Sequence, residues 1–213
     1  VYRTVDEIKK SGTIKIGVFS DKNPFGYVDE KGEYQGYDIY FGKRLAKDLL
    51  GSEDDAEFTY VEAASRVEYL QSAKVDVILA NFTVTDDRAE KVDFALPYMK
   101  VALGVVSPDD ALIKDVKDLE GKKIGAQVGT TGMFRAEKVP GAKVVTFANA
   151  AETFLEFQNG GVDAVIQDFP VVAYYVAQGG NKGRLVGPKM EAEEYGIAVT
   201  KGNKELVAQI NKA

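Results

Sequence analysis

Residues 71–84 read QSAKVDVILANFTV and residues 158–171 read QNGGVDAVIQDFPV, and these two similar stretches indicate the fold class. They share the first Gln, the Val-Asp pair, the Phe and the final Val. Each joins a helix end to a short apolar run bounded by polar residues, a pattern typical of a buried parallel strand. The similarity predicts that both halves of the chain contain a version of one βα unit. The alternative is that helix-to-strand junctions in α/β proteins resemble one another without any internal repeat.

Strand and helix patterns alternate through the rest of both halves. Thr4 and Glu7 have capping-box spacing and predict a helix that ends at Ser11-Gly12. Further helices are predicted at residues 37–50, 64–73, 131–138, 150–158 and 170–178, and strands at 13–19, 57–61, 75–80, 123–127, 143–147 and 162–167. Strands that alternate with helices indicate an α/β fold with mostly parallel sheets.

The length of the chain suits either one large domain or two lobes of about 100 residues each. Residues 101–108, which lead into 109–110, and residues 191–199 are the candidate linkers between two lobes. We predict that residues 1–104 and 193–213 form lobe 1, that residues 105–192 form lobe 2, and that a ligand cleft lies between them. In the alternative, one continuous sheet contains both linkers as ordinary strands.

The composition excludes several classes of function. The net charge of −6 argues against a nucleic-acid partner, since such partners usually meet a basic face. The chain has no Cys and no His, which removes thiolate zinc sites, a cysteine nucleophile and the commonest general base. We therefore expect no cofactor, no metal and no catalysis.

No apolar run approaches the roughly 18 residues that span a bilayer, and a signal peptide or lipid anchor would lie outside the printed sequence.

Polar residues follow both copies of the buried strand at its predicted carboxyl end. Asn81-Phe82-Thr83 stands there in the first copy and Gln167-Asp168 in the second. Open α/β sheets bind their ligands at the carboxyl ends of strands. Asp168 would offer a fixed negative charge to an ammonium group; alternatively, it caps the helix predicted from Pro170.

Arg88 belongs to the segment Thr83-Val84-Thr85-Asp86-Asp87-Arg88, which begins a short helix just past a strand. Its guanidinium is a rigid fork that can hold a carboxylate by two parallel hydrogen bonds. Local pairing with Asp86 or Asp87 is the alternative. A carboxylate binder in one lobe and an ammonium binder in the other would together form a receptor for a zwitterion.

A glycine-rich turn, Gly129-Thr130-Thr131-Gly132, follows a predicted strand and opens a helix. Free backbone N–H groups and the positive end of the helix suit an anion, and the hydroxyls of Thr130 and Thr131 could hold a carboxylate. No Gly-Lys-Ser/Thr follows, and the dinucleotide-binding fingerprint does not fit, which argues against a nucleotide. A purely structural turn is the alternative.

Asp21 and Phe25, in the loop after the first predicted strand, are further candidates for ligand contact. Phe25, like Phe82, could pack on a ligand side chain, although aromatic residues beside strands usually belong to the core. No pair of carboxylates is placed for acid–base catalysis, and no Gly-x-Ser-x-Gly motif occurs.

Short motifs along nearly the whole chain carry a resemblance to one family. They are Ile16-Gly17-Val18, Pro24-Phe25-Gly26-Tyr27, Gly36-Tyr37-Asp38, Lys74-Val75-Asp76, the segment 83–88, Val92-Asp93-Phe94, Pro97-Tyr98 and Tyr195-Gly196-Ile197-Ala198. Together they resemble the type II periplasmic polar-amino-acid-binding proteins of ABC importers, which are bacterial extracellular solute-binding proteins of family 3. Residues 63–66 and 79–85 are most similar to the cysteine-binding branch, whereas residues 129–132 and Gln167-Asp168 are more similar to the glutamine-binding branch.

The resemblance implies two Rossmann-like lobes with mostly parallel sheets, joined by a two-strand hinge, that close on a free polar or acidic L-amino acid. It implies the membrane permease of an ABC importer as partner, a monomeric state, and a location in the periplasm or at the extracytoplasmic membrane surface. The same fold resembles cyclohexadienyl dehydratases, acid catalysts whose glutamate would fall near residues 132–134, where this chain has Gly-Met-Phe. The ligand-binding domain of a sensory receptor is the other alternative.

The resemblance also implies which residues bind the α-carboxylate and the α-ammonium of the ligand. By it, Arg88 binds the α-carboxylate together with Thr83 and the Thr130-Thr131 turn. Asp168 accepts hydrogen bonds from the α-ammonium, with help from the backbone of Asn81.

Side-chain specificity would depend on two further positions. Arg66 matches an arginine that holds side-chain carboxylates in the aspartate- and glutamate-binding branch. Gln167 stands where glutamine-binding relatives have a histidine, and Lys22 stands near the position of one of their aromatic residues. Arg66 and Gln167 favour a small polar or acidic L-amino acid as the ligand.

Overall fold

The computed structural model describes residues 1–108, 113–178, 183–186 and 192–213. Residues 109–110 and 191, which the linker predictions include, lie outside the described residues. The chain divides into two compact units. Unit 1 comprises residues Val1–Lys100 and Glu194–Ala213, and unit 2 comprises residues Val101–Glu193.

Helices and strands alternate along the described residues. The helices are α1 Val5–Ser11, α2 Tyr37–Leu50, α3 Arg66–Gln71, α4 Asp86–Lys91, α5 Thr131–Glu137, α6 Ala150–Gln158, α7 Phe169–Gln178 and α8 Lys204–Lys212, with short 3₁₀ helices at Glu53–Asp55, Ala63–Ser65 and Val116–Leu119. The strands are β1 Ile14–Val18, β2 Asp21–Lys22, β3 Gly26–Val28, β4 Tyr34–Gln35, β5 Ala56–Tyr60, β6 Val77–Ile78, β7 Val92–Phe94, β8 Met99–Pro108, β9 Lys123–Gln127, β10 Lys143–Phe147, β11 Ala164–Asp168, β12 Gly183–Leu185, β13 Ala192–Tyr195 and β14 Ala198–Thr200. None of the helices in the described ranges is long and apolar enough to cross a membrane.

Unit 1 is built on a sheet with the strand order β5-β1-β6-β14-β7. Strand β1 pairs in parallel with β5 and β6, whereas β14 pairs antiparallel with β6 and β7. The core includes Ile14, Ile16 and Val18 of β1, which are fully buried. A small antiparallel sheet of β2, β3 and β4 follows β1 in the chain.

Helix α2 shows how local signals set an element. Its observed range, Tyr37–Leu50, is the predicted one. It buries Ile39, Leu45 and Ala46 in the core, whereas Tyr37 at its start is 53% exposed. The helix ends at Gly51, whose φ of 101° is a left-handed conformation that glycine adopts without a Cβ clash.

Unit 2 has a sheet with the strand order β10-β9-β11-β8-β12, and β13 also pairs with β8. Strand β9 pairs in parallel with β10 and β11, whereas β8 pairs antiparallel with β11 and β12. The observed ranges of β9, β10 and α6 are those predicted. Ile124 of β9 and Ile166 of β11 are fully buried in its core.

The two similar stretches make the same contact in both units. In unit 1, the amide of Asp76 donates to the carbonyl of Lys15 at 2.8 Å, and its carboxylate accepts from the amide of Lys15 at 2.8 Å. In unit 2, Asp163 does the same with Lys123, at 2.8 Å and 2.9 Å. The shared Val-Asp pair therefore fixes the start of one buried strand to its neighbour in each unit.

The elements predicted at residues 64–73 and 75–80 of unit 1 are longer than the observed ones. The helix predicted at residues 64–73 is a 3₁₀ turn at Ala63–Ser65 followed by α3, Arg66–Gln71. It stops early because Ala73 has a φ of 59°, which is not helical. The strand predicted at residues 75–80 is only Val77–Ile78 as a regular ladder, although the amide of Leu79 still bonds to the carbonyl of Gly17 at 2.9 Å.

Candidate functional site

The chain turns sharply just past β6, at Asn81. This residue has a φ of 48°, in the left-handed region that asparagine tolerates better than most residues. Its side chain is buried, and Nδ2 donates to the hydroxyl of Tyr195 at 3.3 Å. Its Oδ1 has no hydrogen-bond partner among the described residues. A buried acceptor in that state is a candidate for a ligand's N–H group.

Arg66 is buried beneath this turn, with 2% of its surface exposed. Its Nε donates to the carbonyl of Ala63 at 3.0 Å, and its Nη1 donates to the carbonyls of Ala80 and Asn81 at 2.8 and 3.2 Å. The guanidinium also lies 4.3 Å from the ring centroid of Phe82. These contacts tie α3 to the end of β6, so Arg66 has a structural role in addition to any contact with a ligand.

Arg88 lies at the same strand end. It is on α4, whose N-cap Thr85 accepts a hydrogen bond from the amide of Arg88. Its Nη1 donates to the carbonyl of Thr83 at 2.8 Å, and its guanidinium lies 4.5 Å from the centroid of Phe82. Thr83 and Phe82 are both buried. The ring of Phe82 therefore makes cation–π contacts with the guanidinium groups of both Arg66 and Arg88.

Asp21 and Phe25 lie in and beside the small sheet of unit 1. Asp21 is half-buried in β2, opposite Tyr27 of β3. Phe25 is almost fully buried, and its ring meets Tyr195 edge-on at a centroid distance of 5.3 Å and Tyr37 at 6.2 Å. These contacts of Phe25 are those of a core aromatic residue.

In unit 2, the predicted glycine-rich turn connects β9 to α5. Gly129 has a φ of 79°, which the turn requires and which glycine adopts readily. Thr130 is the N-cap of α5: its hydroxyl accepts from the amide of Met133 at 3.2 Å and donates to the carbonyl of Gln127 at 2.7 Å. The hydroxyl of Thr131 donates to Oε1 of Glu193 at 2.8 Å.

Gln167 and Asp168 end strand β11 of unit 2, and both are buried. Nε2 of Gln167 donates to Oε1 of Gln127 at 3.1 Å, and its own Oε1 accepts from the amide of Asp168 at 3.4 Å. The backbone carbonyl of Gln127 also accepts a hydrogen bond from the hydroxyl of Thr130. Gln127 therefore links the end of β11 to the turn before α5. The predicted residues of unit 2 thus lie close together.

The sequence prediction missed the buried charges around Asp38. Asp38 is fully buried on α2, and its Oδ1 accepts from the hydroxyl of Tyr98 at 2.8 Å. Burial raises the pKa of Asp38 from 3.8 to about 7, although Tyr98, the backbone of Asn81 and the charge of Lys22 favour the ionised form. Lys22 is also buried and lies 4.6 Å from the ring centroid of Phe19. In the sequence, the family motif Gly36-Tyr37-Asp38 was the feature that could have drawn attention to Asp38.

Asp38 is expected to make the stability of the protein depend on pH. Since its pKa is raised in the folded state, its contribution to stability is fully present below pH 3.8 and is lost as the pH rises through about 7. Asp38→Asn keeps an acceptor for Tyr98 without the charge. The difference in the free energy of unfolding between the variant and the parent should therefore grow by a few kcal/mol, in favour of the variant, from pH 4 to pH 8. Urea unfolding at both pH values measures this difference. Asp48→Asn, on the exposed side of α2, is the matched control, and equal pH profiles for parent and Asp38→Asn would contradict the prediction.

Comparison with known proteins finds one matching family and several similar amino-acid-binding proteins. The family model described as bacterial extracellular solute-binding proteins, family 3, matches residues 14–213. A glutamine-binding protein of an ABC transporter from Bacillus subtilis is 36% identical over 211 residues, which are 98% of this chain and 77% of that protein. A crystal structure of a solute receptor for L-cysteine from Neisseria gonorrhoeae has a TM-score of 0.93 and 46% identity, over 99% of this chain and 86% of that chain. A cysteine-binding protein from Campylobacter jejuni has a TM-score of 0.91 and 45% identity, over 98% of this chain and 84% of that chain.

The fold is that of type II periplasmic binding proteins, which confirms the predicted fold class. The chain belongs to the bacterial extracellular solute-binding proteins, family 3. Its function is solute binding, as predicted, because its relatives are amino-acid-binding proteins of ABC importers. The enzyme and sensory-receptor alternatives are not favoured by these relatives.

Proposed function

We propose that this chain binds one free, small polar or acidic L-amino acid as a zwitterion. In this proposal Arg88 binds the α-carboxylate and Asp168 accepts hydrogen bonds from the α-ammonium. The observation that carries the proposal is the position of these two charges. Asp168 is the last residue of the buried strand β11, and the guanidinium of Arg88, on α4, donates to the carbonyl of Thr83 in the segment that follows the corresponding strand β6. Hinge closure on the ligand, the motion of periplasmic binding proteins, belongs to the same proposal.

The surroundings of Arg88 support its assignment to the carboxylate. The face of Phe82 and the carbonyl of Thr83 hold the guanidinium at a fixed position. An arginine fixed in this way loses little side-chain entropy when it binds a carboxylate through two hydrogen bonds. Nearby, Oδ1 of Asn81 is a buried acceptor with no partner among the described residues, which suits an ammonium group.

The identity of the side chain bound is proposed from the relatives and from Arg66 and Gln167. The proteins compared above are named for glutamine and for cysteine. Gln167 is buried at the end of β11 and brings neutral hydrogen-bonding groups, and Arg66 brings a positive charge. Polar neutral and acidic amino acids such as glutamine, cysteine and aspartate are therefore the first ligands to test.

The family supports a proposal for the cellular role. We propose that the chain acts as a monomer in the periplasm or at the extracytoplasmic membrane surface, and that it delivers its ligand to the membrane permease of an ABC importer. We also propose that it catalyses no reaction. Residues Gly132, Met133 and Phe134 offer no carboxyl group where the related dehydratases would need one.

A thermal-shift screen against the twenty amino acids tests the proposal. The protein is first unfolded and refolded to remove any ligand carried through purification. A ligand present at a thousand times its Kd stabilises the native state by about 4 kcal/mol, which raises the Tm by several degrees. We expect such a shift with one or a few polar L-amino acids and none with their D-enantiomers. If no amino acid raises the Tm, the proposed function is wrong.

A further inference from the structure

Glu193 makes a contact that neither the sequence nor the family assignment explains. It is half-buried on β13 and is the last residue of unit 2. Its Oε1 accepts the hydroxyl of Thr131 at 2.8 Å, and Thr131 is the first residue of α5. The hydroxyl of Thr131 therefore donates to a carboxylate of the protein itself, whereas in the proposed function it donates to the carboxylate of the ligand.

The chemistry of a hydroxyl makes these two contacts exclusive. A threonine side chain has one O–H proton and can donate only one hydrogen bond at a time. Thr131 gives that proton to Glu193, and Thr130 gives its own to the carbonyl of Gln127. In this arrangement neither hydroxyl of the turn has a proton left for a bound carboxylate.

The two bonds differ in how easily they can be exchanged. The hydroxyl of Thr130 donates to the backbone carbonyl of Gln127 in β9, and its oxygen caps α5 by accepting from the amide of Met133. The hydroxyl of Thr131 serves no backbone group in the contact with Glu193. Thr131 is thus the hydroxyl that a ligand can take over without removing a hydrogen bond from the backbone.

We propose that Glu193 competes with the α-carboxylate of the ligand for the hydroxyl of Thr131, and thereby lowers the affinity of the protein for its amino acid. This inference rests on the proposed function, because it concerns the same carboxylate site. When the ligand binds, Thr131 turns its proton from Glu193 to the ligand, and no covalent bond changes. Glu193 is then a positioning residue that sets the affinity without needing to touch the ligand.

Isothermal titration with the amino acid identified by thermal shift tests the inference. Glu193→Ala frees the hydroxyl of Thr131 and is expected to lower the Kd by roughly threefold to tenfold, the size of one net hydrogen bond. Glu193→Gln keeps an acceptor but not the charge, and should fall between Glu193→Ala and the parent. Glu194→Ala, at the exposed neighbouring residue, is the matched control and should leave the Kd unchanged.

A double-mutant cycle with Thr131→Val separates competition from a general effect of charge. In the Thr131→Val background no hydroxyl remains to be released, so Glu193→Ala should no longer tighten binding. An equal gain in both backgrounds would overturn the inference, and so would weaker or unchanged binding in Glu193→Ala with the hydroxyl present. If Glu193→Ala does not fold, Glu193→Gln carries the same test. A parent protein that binds no amino acid would instead overturn the proposed function itself.

Discussion

Arg88→Ala is expected to weaken the binding of every amino acid by roughly a hundredfold to a thousandfold. The variant leaves the α-carboxylate of the ligand without its charged partner, and removing one member of such a buried pair typically costs about 2–5 kcal/mol. The loss should not depend on the side chain of the ligand, because all L-amino acids present the same carboxylate. Isothermal titration with several ligands measures it.

Two control variants sharpen the test of Arg88. Arg88→Lys keeps the charge but loses the fork that binds two carboxylate oxygens, and should bind with intermediate affinity. Arg44→Ala removes an exposed arginine of α2 that pairs with Asp48 at 3.5 Å, and should leave the Kd unchanged. The melting temperature without ligand shows whether the loss of the contacts to Phe82 and Thr83 disturbs the fold. Parent-like affinity in Arg88→Ala would mean that the carboxylate binds elsewhere.

Arg66→Ala is expected to reduce both the stability of the protein and its affinity for neutral as well as acidic ligands. The change leaves the buried carbonyls of Ala63, Ala80 and Asn81 without this donor and opens a cavity beside Phe82. A buried acceptor that loses its donor typically costs about 1–3 kcal/mol, so we expect a loss of stability of at least that size. Urea unfolding in the absence of ligand measures the loss of stability, and titration with glutamine and glutamate compares neutral with acidic ligands.

The family resemblance alone predicts a different result for Arg66. If the guanidinium only bound side-chain carboxylates, Arg66→Ala would keep parent-like stability and would lose affinity for acidic ligands alone. Arg66→Lys separates the two roles further, since lysine keeps the positive charge but cannot reproduce the planar set of donors to three carbonyls. A stable Arg66→Ala variant with unchanged glutamine binding would show that the backbone contacts contribute little.

Much of the architecture could be predicted from local sequence signals. The ranges of α2, α6, β9 and β10 agree with the predictions, because each element has an apolar period and a clear signal at its ends. The capping box at Thr4 is also observed, with both of its hydrogen bonds. Where the prediction differed, at residues 64–73, the left-handed Ala73 ended the helix early without a glycine to signal it.

Local sequence patterns predict the alternation of strands and helices, the two similar stretches and the polar residues at the ends of their strands, because periodicity and turn residues act over a few positions. Tertiary structure decided which groups these residues meet. It brought Glu193 to Thr131, Tyr98 to Asp38 and Asn81 to Tyr195, partners that lie far apart in the chain. Such partners depend on how buried strands and helices pack, and the same packing removes water from Asp38 and so raises its pKa.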